Sequence, residues 1–500
     1  MRIENFPLTN PFVVIASGLL CGLSATLLPV VSFVFMIPFI ALIYSQKPSR
    51  LGMYLWGVFW YIGTIWWMAI VNLQGMQPLI FFATAGLALL LALRFLAVGI
   101  ISSFVLKKYP QITPFLIPSL WVLSEYTLSL GELSFPWMFA GYSLSPILYL
   151  SQIVSVTGIW GLSFLAVISA VVLYKLVFLK QGKRFAVCVA CVALAICLWG
   201  FIRVRPVDTH ELAAIVIQPA ADMENWRGFS SLTESIEVLD SLFAASVEMQ
   251  RGIFILPESA IFTHLRHQPS ALTAVGNWLR TYRSHIIFGS LSPARDESGS
   301  IKGAFNTAYW ANPELPNFYE NYEIFHKIRL VPFVETTPFS GALPMISRLD
   351  LRGGSFWSGS EYSVWEIEDL RIAPFICYEN VYPDFTRRRI NEGANLMVNI
   401  TNDGWFGRTT APVQHAEMTR VRAIEVGVGM VRSANTGISF SADPFGRILS
   451  KTEIYTREVI QMPIAKALDG TIYRSFGDWF AKLCAIFSFS ALIFPIVRRK

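Results

Sequence analysis

From Pro11 to Ile202 the chain runs in long apolar blocks broken by short polar stretches, and a helix that spans a bilayer needs about 20 mostly apolar residues. Seven blocks predict seven membrane helices: Pro11 to Leu27, Val31 to Tyr44, Leu51 to Val71, Leu79 to Leu106, Pro114 to Tyr126, Leu148 to Tyr174 and Phe185 to Ile202. An eighth, Trp479 to Val497, lies near the C-terminus. The second and fifth are short, and Pro29, Pro38, Pro114 and Pro118 predict broken or tilted helices there. The first block is expected to stay in place as a span, because it lacks a small-residue cleavage site and is followed at once by more apolar sequence.

Between Thr209 and Ile464 the pattern changes to short β-branched runs alternating with amphipathic stretches, which predicts an α/β sandwich. Ala213 to Gln218, Gly252 to Leu256, His285 to Gly289, Ile372 to Ile376 and Asn395 to Ile400 read as strands buried on both faces. Helices are expected at Leu232 to Met249, Ala271 to Arg283, Tyr382 to Glu392 and Pro412 to Glu425, and shorter strands at Gly429 to Ser433, Gly437 to Ser441 and Arg447 to Leu449. The longest irregular piece, Thr337 to Tyr362, carries Phe339, Leu343, Met345, Phe356 and Trp357. It reads either as a lid at a membrane surface or as a loop packed on its own domain.

Composition agrees with two environments in one chain. Hydrophobic residues make up 54% and charged residues 15%, against about 25% charged in ordinary soluble proteins, which excludes a cytosolic globule. Residues 1–203 hold 11 Lys or Arg and 3 Asp or Glu, and all the remaining charges follow. The expected domains are therefore a seven-span membrane domain over 1–203, a water-facing domain over 209–464 and a C-terminal span over 479–497. The net charge of +6 sits between the spans and is not a nucleic-acid signal. Its placement orients the chain. Arg2, Lys47 with Arg50, Lys107 with Lys108, Lys175 through Arg184, and Arg498 through Lys500 occupy alternate connections, and the intervening ones carry no base. Basic loops stay cytoplasmic, so both termini are expected inside and the 209–464 domain outside. Arg94 is the one base deep in a span, and it is expected to snorkel or pair with a polar group, the alternative being that it meets a lipid phosphate.

Three segments join an apolar strand to a reactive side chain: Glu258 in LPES, Lys327 in FHKIRLVPF and Cys377 in FICYE. In open α/β sheets, ligands gather beyond the carboxyl ends of strands. Cys21, Cys188, Cys191, Cys197 and Cys484 all fall within predicted spans, which leaves Cys377 as the one thiol of the outer domain. An ordinary thiol is only a few per cent thiolate at neutral pH, so a nucleophilic Cys377 needs a base or a cation beside it. Glu258 could take the proton, and Lys327 with a backbone N–H near Tyr378 could hold an oxyanion. The product would be a thioester that an amine can resolve. No His is required; His326 and His415 read as structural or substrate-facing. No cluster has metal-ligand spacing.

In that order and in those motifs, Glu258, Lys327 and Cys377 resemble the Glu-Lys-Cys triad of the nitrilase, or carbon-nitrogen hydrolase, superfamily. The resemblance spans about Ala213 to Ile464 and implies an αββα sandwich. The flanking spans, with LVPFVE from Leu330, CYE from Cys377, TNDGWFG from Thr401, Gln414-His415, RVRAIE from Arg420 and RSANTGIS from Arg432, narrow it to the apolipoprotein N-acyltransferases. What the family implies is Glu258 as general base, Lys327 as oxyanion stabiliser, Cys377 as acylated nucleophile and Glu335 as a supporting carboxylate. Tyr378 and Glu379 match the residues after the nucleophile, and Trp226 matches a tryptophan near the mouth of the site. Val334 stands where that family usually has glycine, and Val428-Gly429 replaces an Arg-Pro pair, which puts local loop shape in question.

The implied reaction moves an acyl chain from a phospholipid, typically phosphatidylethanolamine in that family, through Cys377 to the α-amino group of an S-diacylglyceryl-cysteine on an apolipoprotein. It needs no cofactor and no nucleic acid, and it belongs at the outer face of a bacterial inner membrane. Two rivals stand beside it. One is a membrane-tethered nitrilase-type amidase that hydrolyses its acyl-enzyme. The other is a transporter, which the lack of deep charges beyond Arg94 and of an inverted repeat disfavours.

Overall fold

The computed structural model describes residues 7–71, 77–221, 229, 231–249, 251–315, 322–337 and 356–497, and it divides the chain into two compact units. The first comprises residues 1–130, 135–205 and 471–500, and the second residues 131–134 and 206–470.

The first unit is helical: α1 (Pro11–Leu27), α2 (Ile37–Tyr44), α3 (Arg50–Ile65), α4 (Gln77–Leu106), α5 (Thr113–Thr127), α6 (Leu148–Ser151), α7 (Val154–Thr157), α8 (Ile159–Val177) and α9 (Lys183–Arg203), with α14 (Ile472–Phe476) and α15 (Trp479–Val497) from the C-terminal segment. The starts follow capping chemistry. Asn10 accepts the Phe12 N–H with Pro11 in the first turn, and Ser49 accepts the Gly52 N–H. Among the described residues, four helical stretches have the length and hydropathy to cross a membrane: Arg50–Ile70, Gln77–Leu106, Ile159–Val177 and Lys183–Arg203. The apolar helices Pro11–Leu27, Pro29–Tyr44, Leu148–Thr157 and Trp479–Ile493 are shorter.

One break is as expected and two expectations need correction. The second block is broken where Pro29 and Pro38 predict it, into a 3₁₀ turn over Pro29–Met36 that leads into α2. The block from Leu148 to Tyr174 is not one helix, because Gly158 at φ +67° breaks it and α8 starts only at Ile159. Arg94 is not the only charge inside a span. Its guanidinium lies 4.1 Å from the Phe95 ring and 5.0 Å from the Trp60 ring, donates to Ser124 Oγ at 3.1 Å, and sits 4.0 Å from Oε1 of Glu125. Glu125 is fully buried on α5 and accepts from Trp121 Nε1 and from the Ala140 N–H.

The second unit is two six-stranded sheets with helices outside them. The strands are β1 (Ala213–Gln218), β2 (Gly252–Ile255), β3 (Ile286–Arg295), β4 (Ile301–Ala311), β5 (Glu323–His326), β6 (Trp365–Ile367), β7 (Leu370–Ile376), β8 (Leu396–Thr401), β9 (Gly429–Ala434), β10 (Phe440–Ala442), β11 (Ile448–Lys451) and β12 (Glu458–Met462). One sheet runs β12-β1-β2-β3-β4-β5 and the other β11-β10-β9-β8-β7-β6. β1, β2 and β3 are parallel, as are β7, β8 and β9, and antiparallel strands flank both sets. Residues such as Val216, Ile255, Ile372, Val398 and Val431 fill the space between the sheets. α10 (Leu232–Ala245) and α11 (Pro269–Tyr282) cover the outer face of the first sheet through Phe243 and Trp278. α12 (Pro383–Asn391) and α13 (Ala411–Val426) belong to the second half. Central strands covered on both sides must be apolar throughout, which is why they read as unbroken runs. β4, β5, β6 and β12 were not anticipated, because polar residues such as Asn306 and Thr307 interrupt their pattern or the strands are very short.

Candidate functional site

Glu258 follows β2 through Leu256 and Pro257. The chain turns there with Ser259 at φ +58° and packs so tightly that a Cβ on Gly289 of β3 would lie 2.6 Å from the Glu258 Cα. Lys327 follows β5 and is tied to β4 by its N–H, which donates to the Asn306 carbonyl at 2.8 Å. Cys377 follows β7 and opens a 3₁₀ turn over Cys377–Val381 with its own φ at +53°. Phe333 is also left-handed, so three non-glycine residues of high backbone energy lie in the segments that carry these side chains. Val334 is not among them, so the valine in the usual glycine position carries no backbone strain.

The fold brings the three predicted groups together. Lys327 Nζ donates to Glu335 Oε1 at 2.8 Å and to Glu258 Oε1 at 3.4 Å, with all three side chains buried. Asn306, which the sequence did not single out, bridges the two carboxylates, donating to Glu258 Oε1 at 2.7 Å and to Glu335 Oε1 at 3.3 Å. The remaining oxygens accept backbone N–H groups, Glu258 Oε2 from Asn402 at 2.9 Å and Glu335 Oε2 from Val331 at 2.8 Å. Each carboxylate is thus held on both oxygens, and the ammonium lies closer to Glu335 than to Glu258.

Cys377 is half-buried and interacts electrostatically with both Glu258 and Lys327. Burial first and the Glu258 carboxylate second push its thiol well above the ordinary value, and Lys327 pulls the other way. The resting sulfur is a protonated thiol. Burial works to lower the Lys327 pKa, but Glu335 and Glu258 outweigh it and hold the ammonium above its ordinary value. Glu379 is a staple: Oε1 accepts the N–H groups of Ile328 and Arg329 at 2.7 and 3.1 Å, and Oε2 accepts that of Ile376 at 2.8 Å, which ties the lysine loop to the cysteine strand. Tyr378 is buried and meets Tyr382 edge to face at 5.3 Å.

His326 stacks on Phe305 at 4.1 Å and bonds Thr307, and burial lowers its pKa to about 4, a structural role. His415 is buried beside Asp403 and Arg432. Trp226, and Phe339, Leu343 and Met345 of the long irregular segment, lie outside the described residues. Of that segment's other aromatics, Phe356 bridges to Ala304 of β4, and Trp357 donates its N–H to the Ala304 carbonyl. This end of the segment packs on its own domain.

A thiol, a fixed carboxylate and an ammonium thus lie beyond the ends of three strands. The carbon-nitrogen hydrolase family model matches residues 212–472, and the model of the apolipoprotein N-acyltransferase N-terminal domain matches residues 17–172. The chain belongs to the apolipoprotein N-acyltransferase family. It is 29% identical over 465 residues to the apolipoprotein N-acyltransferase of Geobacter metallireducens, covering 88% of this chain and 85% of that one. It is 28% identical over 468 residues to that of Rickettsia prowazekii, covering 87% and 86%. Among solved structures, an amidase from Nesterenkonia sp. aligns with 52% of this chain and 92% of its own at 15% identity and a TM-score of 0.38. A carbon-nitrogen hydrolase from Helicobacter pylori aligns with 51% and 89% at 13% identity and a TM-score of 0.37. Membership makes the protein an enzyme of the superfamily, with the two-sheet sandwich of its second unit.

Proposed function

We propose that the protein transfers a fatty acyl group from a phospholipid to the α-amino group of the N-terminal S-diacylglyceryl-cysteine of apolipoproteins, through a thioester on Cys377. The observation that carries this reading is the meeting of Cys377, Glu258 and Lys327 in a chain that also has the N-terminal domain of this family. Because the thiol rests protonated, Glu258 takes its proton as the sulfur attacks the ester carbonyl of the donor. Lys327 and the Tyr378 N–H receive the negative charge that develops on the carbonyl oxygen. The C–O bond then breaks, the proton on Glu258 passes to the departing alkoxide, and a lysophospholipid leaves. In the second half the acceptor amine attacks the thioester, Glu258 takes the amine proton and returns it to the sulfur, and the amide product departs. Glu335 keeps the ammonium charged and drawn away from Glu258, and Asn306 sets the spacing of the two carboxylates.

The same reading assigns Trp226 to the mouth of the site. It takes the apolar blocks as eight spans with both termini cytoplasmic and the 209–464 domain periplasmic, supported by the alternation of basic and base-free connections. Donor and acceptor are both lipids of one leaflet, so an enzyme anchored there meets both. Phosphatidylethanolamine is the donor we favour.

Intact-mass analysis tests the reading. Purified protein mixed with phosphatidylethanolamine vesicles should gain one hydroxylamine-labile acyl group, lost in Cys377→Ala, and a diacylated lipopeptide should discharge it onto its own amine. Absence of the adduct, or its survival in Cys377→Ala, overturns the mechanism. Discharge to free fatty acid with the lipopeptide untouched would make the protein the tethered amidase instead.

A further inference from the structure

Behind Cys377 lies a second set of buried polar groups that the proposed mechanism does not use. Asn399, Thr401, Asp403, His415, Thr419 and Arg432 are all essentially inaccessible to solvent. Asn399 on β8 and Arg432 on β9 are register partners in adjacent parallel strands. Arg432 aims both terminal nitrogens into this set and its Nε at a neighbouring carbonyl. Nη1 donates to Asn399 Oδ1 at 2.8 Å and Thr419 Oγ1 at 3.2 Å, Nη2 lies 2.6 Å from Asp403 Oδ2 and 3.1 Å from His415 Nδ1, and Nε donates to the Ile438 carbonyl at 3.2 Å. Asp403 supplies the balancing charge; burial works to raise its pKa, but Arg432 and then His415 outweigh it and hold the carboxyl well below the usual range. The cluster is a buried ion pair whose guanidinium is hydrogen-bonded through all three nitrogens.

Its free end points at the nucleophile. A guanidinium can only donate, so the atom of Asn399 that faces Arg432 must be the amide oxygen, and the nitrogen must face the other way. That nitrogen donates to the carbonyl oxygen of Cys377 at 3.2 Å. His415 also hydrogen-bonds the Cys377 backbone, and Thr401 hydrogen-bonds the Cys377 side chain. The peptide that carries the Cys377 carbonyl carries the Tyr378 N–H on its opposite side, because a trans peptide is planar and its C=O and N–H are antiparallel. Holding the carbonyl therefore aims the N–H. Cys377 needs such holding, since φ of +53° is a conformation that a side-chain-bearing residue keeps only when its surroundings impose it.

We propose that Asn399, oriented by Arg432 and Asp403, is a positioning residue for the oxyanion site: its grip on the Cys377 carbonyl fixes the peptide plane that presents the Tyr378 N–H to the developing oxyanion. The proposal rests on the acyl-transfer reading only in taking that N–H as an oxyanion donor, and any ester that acylates Cys377 tests it.

Asn399→Asp keeps size and shape and can still pair with Arg432, but it sets an acceptor against the Cys377 carbonyl. Arg432→Lys keeps the charge against Asp403 and gives up the fork that orients Asn399, and it serves if Asn399→Asp does not fold. Two reactions of Cys377 are compared in the full-length protein in detergent micelles. Acylation by a p-nitrophenyl ester forms an oxyanion, and alkylation by iodoacetamide, followed by mass mapping of the Cys377 peptide, does not. Loss of one oxyanion donor typically costs 100-fold or more in kcat. We expect Asn399→Asp to lower the acylation kcat by about 100-fold with KM within about twofold, and Arg432→Lys to lower it by about 10-fold, with alkylation in both within about threefold of wild type. Unchanged acylation overturns the proposal. So does an equal fall in both reactions, which would mean that the cluster places the thiol or merely holds the fold, and so does a rise in KM alone. Failure of wild type to take an acyl group from phospholipid while this contrast holds would overturn the donor assignment and leave the positioning role standing.

Discussion

At the scale of single residues, the division of labour between two carboxylates turns on a difference of 0.6 Å, the gap between the 2.8 Å Lys327–Glu335 contact and the 3.4 Å Lys327–Glu258 contact. Glu335 is also the largest of the charges that raise the Lys327 pKa. In Glu335→Gln the amide can offer its oxygen to Lys327 or to the Val331 N–H but not to both, so one donor is left facing another. The ammonium then keeps only Glu258 against the cost of burial, and its pKa falls. The expected outcome is an alkaline limb of the acylation pH–rate profile that sets in at lower pH than in wild type, with the rate falling above about pH 9.5 where wild type still holds its plateau. Single-turnover acylation from about pH 7 to 11 checks it, and an unmoved alkaline limb would mean that Glu335 has no electrostatic hold on Lys327. Glu258, Lys327 and Cys377 could be singled out in the sequence because each follows a strand-like run. Asn306 and Asn399 could not, because their partners stand 48, 29 and 22 residues away along the chain and a lone polar residue inside a strand signals burial without saying what it faces.

At the scale of elements, the central strands were legible because two-sided burial forces continuous apolar sequence, and the antiparallel flanking strands were not. The membrane helices show a different limit. Composition registers Arg94 as an isolated cost, but the pairing that offsets it requires knowing that α4 and α5 face each other. Glu125 links α5 to the 3₁₀ turn at Ala140–Ser143 through the Ala140 N–H at 2.8 Å and receives Trp121 Nε1 at 2.9 Å. Removing it in Glu125→Ala takes the acceptor from those two donors and leaves the guanidinium with Ser124 but no opposite charge, at about 3–5 kcal/mol for a broken buried pair. Glu125→Gln retains an oxygen for Trp121 and Ala140, so it should cost less than half as much. The double variant Arg94→Met with Glu125→Gln should melt above Glu125→Ala. Thermal unfolding in detergent of the three variants ranks them, and a Glu125→Ala protein as stable as wild type would show that the pair has no structural weight.

At the scale of the whole molecule, charge is segregated by environment, and the six histidines follow the same division: all lie after residue 209. Four of them, His264, His285, His326 and His415, have pKa values lowered with burial as the first cause, His326 to about 4. A histidine held neutral in the folded state binds its proton more readily when the chain unfolds. The stabilisation is therefore fully present above the unfolded value of about 6.5 and is lost as pH falls toward the folded values. For His326 the upper figure is about 3 kcal/mol at pH 4, less the share that water screens from a ring that is only partly buried. The other three act in the same direction. Asp403, whose carboxyl is held below its ordinary value by Arg432 and His415 against the effect of burial, adds a further loss once pH drops below about 4. The helical unit contains no histidine, so the histidine part of the acid response belongs to the sandwich. Calorimetry between pH 7.5 and 4.5 should show one transition, the one abolished by proteolytic removal of the sandwich, moving down by several degrees, with most of the change below pH 6.5. Replacing His326 by Gln, which keeps a polar partner for Thr307 and cannot be protonated, should flatten the slope between pH 6 and 4. A flat midpoint would mean that these rings bind protons equally in the folded and unfolded chain, and one that rises on acidification would mean that the folded chain binds them more tightly.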